Sequence, residues 1–107
     1  MTHEQIDKRS MAMALAVVEL VDGDPGRSGL VRARATCERW LREYGPDPNV
    51  AEWHGILKRE WSEIRRVLLD PSEEGTRLRQ NSPFAGVLPP RQRWDIYRRF
   101  RDGQTAA

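Results

Sequence analysis

The sequence predicts an all-α fold, a small helical bundle of three main helices followed by a short helix, a proline-rich apolar loop and a basic C-terminal helix. Apolar residues recur at steps of three and four through most of the chain, the spacing of helices with one buried face. Good helix formers are plentiful, and clusters of proline and glycine separate the periodic stretches by short connections. We assign 1–107 to a single helical domain, with a bundle body over 1–70 and a basic, aromatic interaction segment over 71–107.

The first helix is predicted over Ile6–Val21 and ends at a glycine- and proline-rich break. Its apolar residues form one stripe and widen towards a second. The first stripe contains Ile6, Met13, Val17 and Leu20, and the second contains Leu15, Val18 and Val21. So wide an apolar face predicts a helix that is contacted on two sides. It is either the central helix of the bundle or a helix with a second, partner-facing surface.

The second helix, predicted over Gly29–Tyr44, has a single apolar face and a clear end. The face contains Leu30, Ala33, Cys37, Trp40, Leu41 and Tyr44. Gly45 stands where a left-handed cap is common, and Pro46 cannot continue the helix. Because Cys37 lies on the apolar face, we expect a buried, unreactive thiol, and a single cysteine forms no intrachain disulfide.

The third helix is the most regular stretch of the chain and is predicted to run without interruption from Pro48 to Leu69. Asp47 can cap its first turn, and the proline after Asp70 disfavours helix at the residue before it. Trp53 and Trp61 lie eight residues apart on its apolar stripe, and other helices must cover their large rings. At 1.5 Å per residue the helix would be roughly 33 Å long, enough to span a small domain.

A short fourth helix is predicted to run to about Gln80 from a start signal at Asp70–Glu73, in which Asp70 is the expected capping residue, and Gly75 is its weak point. The next segment, Ser82–Pro90, contains three prolines and a glycine, which exclude a regular helix. Its strongly apolar residues are Phe84, Val87 and Leu88. Two interpretations stay open. The loop either packs back on the bundle and fills the end of its core, or forms a docking segment that a partner orders.

The last helix is predicted over Arg91–Arg101 and ends at Asp102 and Gly103. Its aromatic residues lie on two adjoining faces among closely spaced arginines. Tryptophan, tyrosine, phenylalanine and arginine are enriched at the energetic centres of protein interfaces. The predicted partner-binding residues of the loop and this helix are Phe84, Val87, Leu88, Trp94, Tyr97 and Phe100.

Charge is distributed unevenly along the chain. Residues 1–76 contain 11 Lys and Arg against 14 Asp and Glu, whereas residues 77–107 contain seven Arg against two Asp. This asymmetry favours a negatively charged partner, either nucleic acid or an acidic protein surface. The residues predicted to bind nucleic acid or an acidic partner are Arg77, Arg79, Arg91, Arg93, Arg98, Arg99 and Arg101. In a third interpretation the aromatics complete the core and the arginines form a solvated face.

No residue pattern predicts an enzyme, a cofactor or a metal site. The chain has no histidine pair at ligand spacing and no Ser/His/Asp or Cys/His set, and a lone histidine such as His54 is typical of a surface position. No apolar run approaches the roughly 18 residues that a membrane helix requires. The apolar window Met11–Val21 lacks the flanks of a signal peptide. We therefore expect a cytoplasmic, non-enzymatic protein; its oligomeric state is open, with a homodimer among the alternatives.

The segment Leu78–Leu88, LRQNSPFAGVL, followed by RWDIY at Arg93–Tyr97, resembles the C-terminal end of small bacterial proteins similar to antitoxins, which are encoded beside toxins in two-component modules. The resemblance covers roughly the last half of the chain. It implies a cytosolic partner protein that the C-terminal part wraps or plugs. Such proteins often also regulate their own promoter, but this sequence has no helix-turn-helix signature.

The sequence therefore predicts a protein-interaction module, an antitoxin or other small inhibitor that binds and neutralises a partner protein. The first alternative is a nucleic-acid-binding protein or transcriptional regulator that uses the arginine-rich helix. The second is a phage-type inhibitor of a host defence complex.

Overall fold

The computed structural model describes the backbone of residues 2–106 and the side chains of residues 2–101. It confirms the all-α prediction, because the described residues form helices joined by turns, with no strand among them. The helices are α1 (His3–Asp22), α2 (Ser28–Tyr44), α3 (Pro48–Ile56), α4 (Trp61–Leu68), α5 (Glu73–Gln80) and α6 (Pro90–Ala106). The last helix continues beyond its predicted end at Asp102 and Gly103, since one glycine costs only about 1 kcal/mol in a helix.

Helix α1 is the central helix, as its wide apolar face predicted, and it packs against α2, α4, α5 and α6. Its buried residues are Ala14, Val17, Val18 and Val21. Two predicted stripe residues, Leu15 and Leu20, are instead exposed, so the buried face is narrower than the sequence indicated. A capping box between Thr2 and Gln5 satisfies the free amides at the start of the helix.

The prediction of one continuous third helix is wrong, because the chain leaves the helix after Ile56 and starts α4 at Trp61. In an uninterrupted helix, the carbonyl of Leu57 would accept a hydrogen bond from the amide of Trp61. Here that carbonyl accepts a hydrogen bond of 2.8 Å from Nε of Arg34 on α2. A hydrogen bond from another helix therefore replaces a local one at this position. The residues between α3 and α4 contain no proline, so the sequence has no local signal for the break.

The proline-rich loop lies in the core, which decides between the two interpretations of its apolar residues. Phe84, Val87 and Leu88 are 1%, 3% and 1% exposed, respectively. The ring of Phe84 contacts both buried indoles, with centroids 6.1 Å from Trp53 and 6.3 Å from Trp61. The loop therefore fills the end of the core, and it brings α6 back alongside α1.

Hydrogen bonds from the two indoles tie distant parts of the chain together. Nε1 of Trp53 donates to the carbonyl of Leu78 at 2.9 Å, and Nε1 of Trp61 donates to the carboxylate of Asp22 at 2.7 Å. Nε of Arg65 donates to the other oxygen of the same carboxylate at 3.1 Å. The carboxylate of Asp22 thus links the end of α1 to α4.

The start of α5 differs in detail from its prediction. Ser72, and not Asp70, is the N-cap, and its hydroxyl accepts a hydrogen bond from the amide of Gly75. The carboxylate of Asp70 instead accepts from the amide of Ser72. Gly75 is buried against the backbone of Asp70, so its missing side chain is a packing requirement rather than a weak point.

We expect Gly75→Ala and Gly55→Ala to change stability in opposite directions. A Cβ at Gly75 would overlap with the carbonyl oxygen of Asp70, and relieving that overlap should cost about 3 kcal/mol. A Cβ at Gly55, also helical, meets nothing within 4 Å, and the lower chain entropy of alanine should add about 0.5 kcal/mol. Urea unfolding of the two variants measures both effects, and a loss of equal size at the two positions would contradict the packing described.

Asp22 should make unfolding depend on pH in the acidic range. Hydrogen bonds from Trp61 and then from Arg65 hold the pKa of Asp22 below its usual value in the folded protein. A carboxylate with a lowered folded pKa stabilises the fold above its unfolded pKa, and this contribution disappears as the pH falls through the folded pKa. Asp22→Asn should therefore lower stability near pH 7 and reduce its fall below about pH 4. Chemical unfolding at several pH values measures this pH dependence, with the surface substitution Glu43→Gln as the control. If Asp22→Asn left the dependence of stability on pH unchanged, the stabilising role of the Asp22 carboxylate would be contradicted.

Candidate functional site

The structure divides the predicted site residues among three environments: the core, intramolecular polar contacts and an exposed surface of α6. Phe84, Val87 and Leu88 belong to the first. Phe84 contacts Trp53 and Trp61, and all three residues belong to the buried core cluster, so a partner could reach them only if the loop left the bundle. In this conformation they are core residues and do not form a partner surface.

Arg79, which the sequence predicted to bind nucleic acid or an acidic partner, is also buried in this conformation. It is 8% exposed, and its guanidinium donates to the carbonyls of Leu68 and Asp70 and to the hydroxyls of Ser10 and Thr76. Burial lowers the pKa of Arg79, against the opposing effect of nearby carboxylates. The side chain joins α1, α4 and α5 from within, and no external phosphate can pair with it on the surface.

Arg77 is already paired with acidic side chains of the same chain. Its Nη2 lies 2.9 Å from a carboxylate oxygen of Glu52 and 2.7 Å from one of Glu74, and Nη1 donates to Asn49. These hydrogen bonds, first that to Glu74, raise the pKa of Arg77. Two carboxylates neutralise the positive charge, so Arg77 contributes little to the attraction of a negatively charged partner.

The outer face of α6 presents the aromatic residues that remain accessible. Trp94 is 64% exposed and Tyr97 is 38% exposed, and their rings meet edge to face with centroids 6.2 Å apart. The guanidinium of Arg9, from α1, lies 5.0 Å from the centre of the Tyr97 ring, in the range of a cation–π contact. The residues Arg9, Trp94, Tyr97, Arg98 and Arg101 line one concave surface, which we call the Arg–aromatic patch.

The other predicted residues of α6 lie around this patch. Arg98 forms an exposed ion pair of 2.8 Å with Asp95, and Arg91 is exposed. Arg99 is exposed and its guanidinium lies 5.8 Å from the ring centre of Phe100. Phe100 is half-buried against the core and is therefore only in part available to a partner.

Arg93 is half-buried, and its Nε is a buried donor without a hydrogen-bond partner among the described residues. Such a donor costs free energy unless it is paired. Arg93 is not among the described residues that line the Arg–aromatic patch.

Sequence reasoning missed Arg9, which belongs to the patch although it is more than 80 residues away from α6 in the chain. Its position follows from the packing of α6 on α1, and no local signal at residue 9 could have shown it. The patch also borders a cavity between α1, α6 and the loop, because Arg9 and Tyr97 line both.

Within the described part of the chain, no group of three or more His, Cys, Asp and Glu side chains could hold a metal ion. Cys37 is buried, its Sγ lies 3.4 Å from the carbonyl of Val50, and burial raises the pKa of its thiol. A raised pKa leaves little of the reactive thiolate at neutral pH. None of the described helices combines the length and apolar character that are needed to cross a membrane.

Comparison with protein-family models, with curated proteins and with solved structures found no match to this chain.

Alanine substitutions at Phe84 and Trp94 should have different effects on stability, because Phe84 is a core residue and Trp94 is a surface residue. Phe84→Ala removes a buried ring and should lower the free energy of unfolding by about 3–5 kcal/mol. Trp94→Ala removes an exposed ring and should change it by less than about 1 kcal/mol. Thermal or urea unfolding followed by circular dichroism measures both. Equal effects of the two substitutions would contradict the assignment of the loop to the core and of Trp94 to the surface.

Proposed function

We propose that the protein is a non-enzymatic interaction module that binds an acidic surface of a partner protein through the Arg–aromatic patch. The observation that carries this proposal is the exposure of Trp94, 64% in the free chain, beside arginines from two helices. Tryptophan and arginine are the residue types that most often dominate the energy of a protein interface. Trp53 of α3 and Trp61 of α4 are buried, so the exposure of Trp94 is not a general property of tryptophan in this fold.

The charge of the patch supports an acidic partner. Arg9 and Arg98 flank the two aromatic rings, and Asp95, the ion-pair partner of Arg98, neutralises part of this charge. Arginine stacks on aromatic faces and pairs with carboxylates through two parallel hydrogen bonds, which suits it to an interface better than lysine. An exposed ion pair such as Arg98–Asp95 contributes at most about 1 kcal/mol, so a partner carboxylate can replace Asp95 at small cost.

An antitoxin or other small inhibitor is the form of interaction module that we propose. Support for it is limited to the patch, because the segment that resembles antitoxin-like proteins contributes core residues. Leu78, Phe84, Val87 and Leu88 of that segment are buried. A phage-type inhibitor of a defence complex would use the same kind of surface, and the identity of the captured partner would separate the two.

Nucleic-acid binding is the second candidate, and the exposed ring of Trp94 is the observation that favours it. A base can stack on an exposed indole while neighbouring arginines neutralise phosphates. Arg77 and Arg79 are already engaged within the fold, which leaves a smaller basic surface than the sequence indicated. We therefore rank this function below protein binding.

The test is the capture of partners from the source cell with three forms of the protein, with and without nuclease treatment and at low and high salt. The patch variant is Trp94→Ala with Arg98→Ala. The matched control is Tyr44→Ala with Arg42→Ala, which also removes one exposed aromatic ring and one exposed arginine, but from α2. Deletion of residues 82–107 is unsuitable, because it would remove four buried core side chains, those of Phe84, Val87, Leu88 and Ile96, together with the α6 part of the patch.

A protein that is retained by the wild type and the control, but not by the patch variant, is the expected result. With that partner purified, the patch variant should bind at least about tenfold more weakly than the control. Retention by all three forms would contradict the proposal. Retention of nucleic acid alone, with a strong dependence on salt, would contradict it in favour of the second candidate.

A further inference from the structure

A cavity of about 270 Å³ lies between α1, α6 and the loop, behind the Arg–aromatic patch. Most of its wall is apolar, formed by Ile6, Met13, Ala14, Val17, Leu68, Phe84 and Ala85. Its polar wall includes the two arginines Arg9 and Arg79. An apolar cavity with a few convergent polar groups is the usual form of a small-molecule site.

Neither arginine of the cavity is neutralised by an ion pair with the described side chains. Arg79 is buried among neutral acceptors, and these use four of its five N–H groups. One N–H of Nη2 therefore has no acceptor among the described residues. Arg9 makes a cation–π contact with Tyr97 and forms no ion pair there. Two cations thus face a cavity that holds no anion of the protein.

We propose that this cavity binds a small amphipathic carboxylate, with its apolar chain against the α1 and loop side chains and its carboxylate held by Arg9 and Arg79. The charge complementarity excludes an amine head group, and the apolar wall disfavours a wholly polar anion. The cavity volume of about 270 Å³ is at the small end of ligand sites, which span roughly 300–1,000 Å³, and this suits a short ligand such as octanoate. The cavity shares Arg9 and Tyr97 with the Arg–aromatic patch, but this proposal does not rest on the proposed protein-binding function, because the ligand binds the free chain without a partner protein.

The Arg79 guanidinium also gives a reason why such a ligand would stabilise the protein. Burial disfavours the charged form of this side chain, as its lowered pKa indicates. A carboxylate in the cavity would offset that cost by accepting the remaining N–H. A ligand that binds only the folded state raises the unfolding temperature.

The experiment is a titration of the full chain with octanoate, followed by amide chemical shifts in two-dimensional NMR. Octylammonium and 1-octanol serve as comparison ligands, because they have the same chain with a positive or neutral head. Octanoate should shift the amides of residues around Ser10, Ala14 and Ala85 in a saturable way. It should bind at least about tenfold more tightly than either comparison ligand, since charge-assisted hydrogen bonds are the stronger kind.

Two variants test the two halves of the site without touching the buried Arg79. Arg9→Gln removes one cation and should weaken octanoate binding by about tenfold. Ala85→Leu fills the exposed side of the cavity and should weaken it by at least as much, whereas the same change at Ala35, exposed on α2, should leave it unaltered.

The proposal is overturned if octanoate produces no saturable shift up to about 10 mM, a concentration that corresponds to only about 0.3 kcal/mol of binding free energy for each of its ten non-hydrogen atoms. It is also overturned if octylammonium binds as well, or if Ala85→Leu has no more effect than Ala35→Leu. Circular dichroism of each variant establishes beforehand that the helices are intact.

Discussion

The position of Phe84 between the two indoles is the constraint on which the rest of the structure depends. Its ring contacts Trp53 of α3 and Trp61 of α4, two residues that a bend in the chain places on separate helices. Aromatic pairs of this kind contribute about 0.5–1.5 kcal/mol beyond the area they bury. Because the loop is fixed there, α6 returns along α1, and only this return brings Arg9 to Trp94 and Tyr97. The candidate site is thus a consequence of how the loop is packed.

Polar contacts join the helices around the aromatic cluster. Arg79 holds the carbonyls that follow α4, and Asp22 joins the end of α1 to Trp61 and Arg65. Both are polar groups in or beside an apolar core, and each is stabilising because its hydrogen bonds are made. The structure therefore combines a packed, hydrogen-bonded interior with an outer face of α6 on which an aromatic ring remains exposed.

Much of the fold could be predicted from the sequence, because its local signals are strong. Clusters of glycine and proline marked the ends of α1 and α2 to within about two residues, and the apolar pattern placed Trp53 and Trp61 in the core. The break between α3 and α4 could not be predicted, since it depends on a hydrogen bond from Arg34, which is distant in the chain. The site was predictable in part. Trp94 and Tyr97 are exposed on α6, but charge composition alone could not show that Arg79 is buried or that Arg9 joins them.

The central claim is that a partner docks on the preformed Arg–aromatic patch while the loop stays in the core. Amide hydrogen exchange of the protein, alone and saturated with its captured partner, tests it most directly. We expect binding to slow exchange in α6 and in the turn of α1 around Arg9, and exchange at Phe84–Leu88 to be slow in both states. Faster exchange at Phe84–Leu88 in the complex, without protection of α6, would show that the loop leaves the bundle to bind. That result would contradict the account.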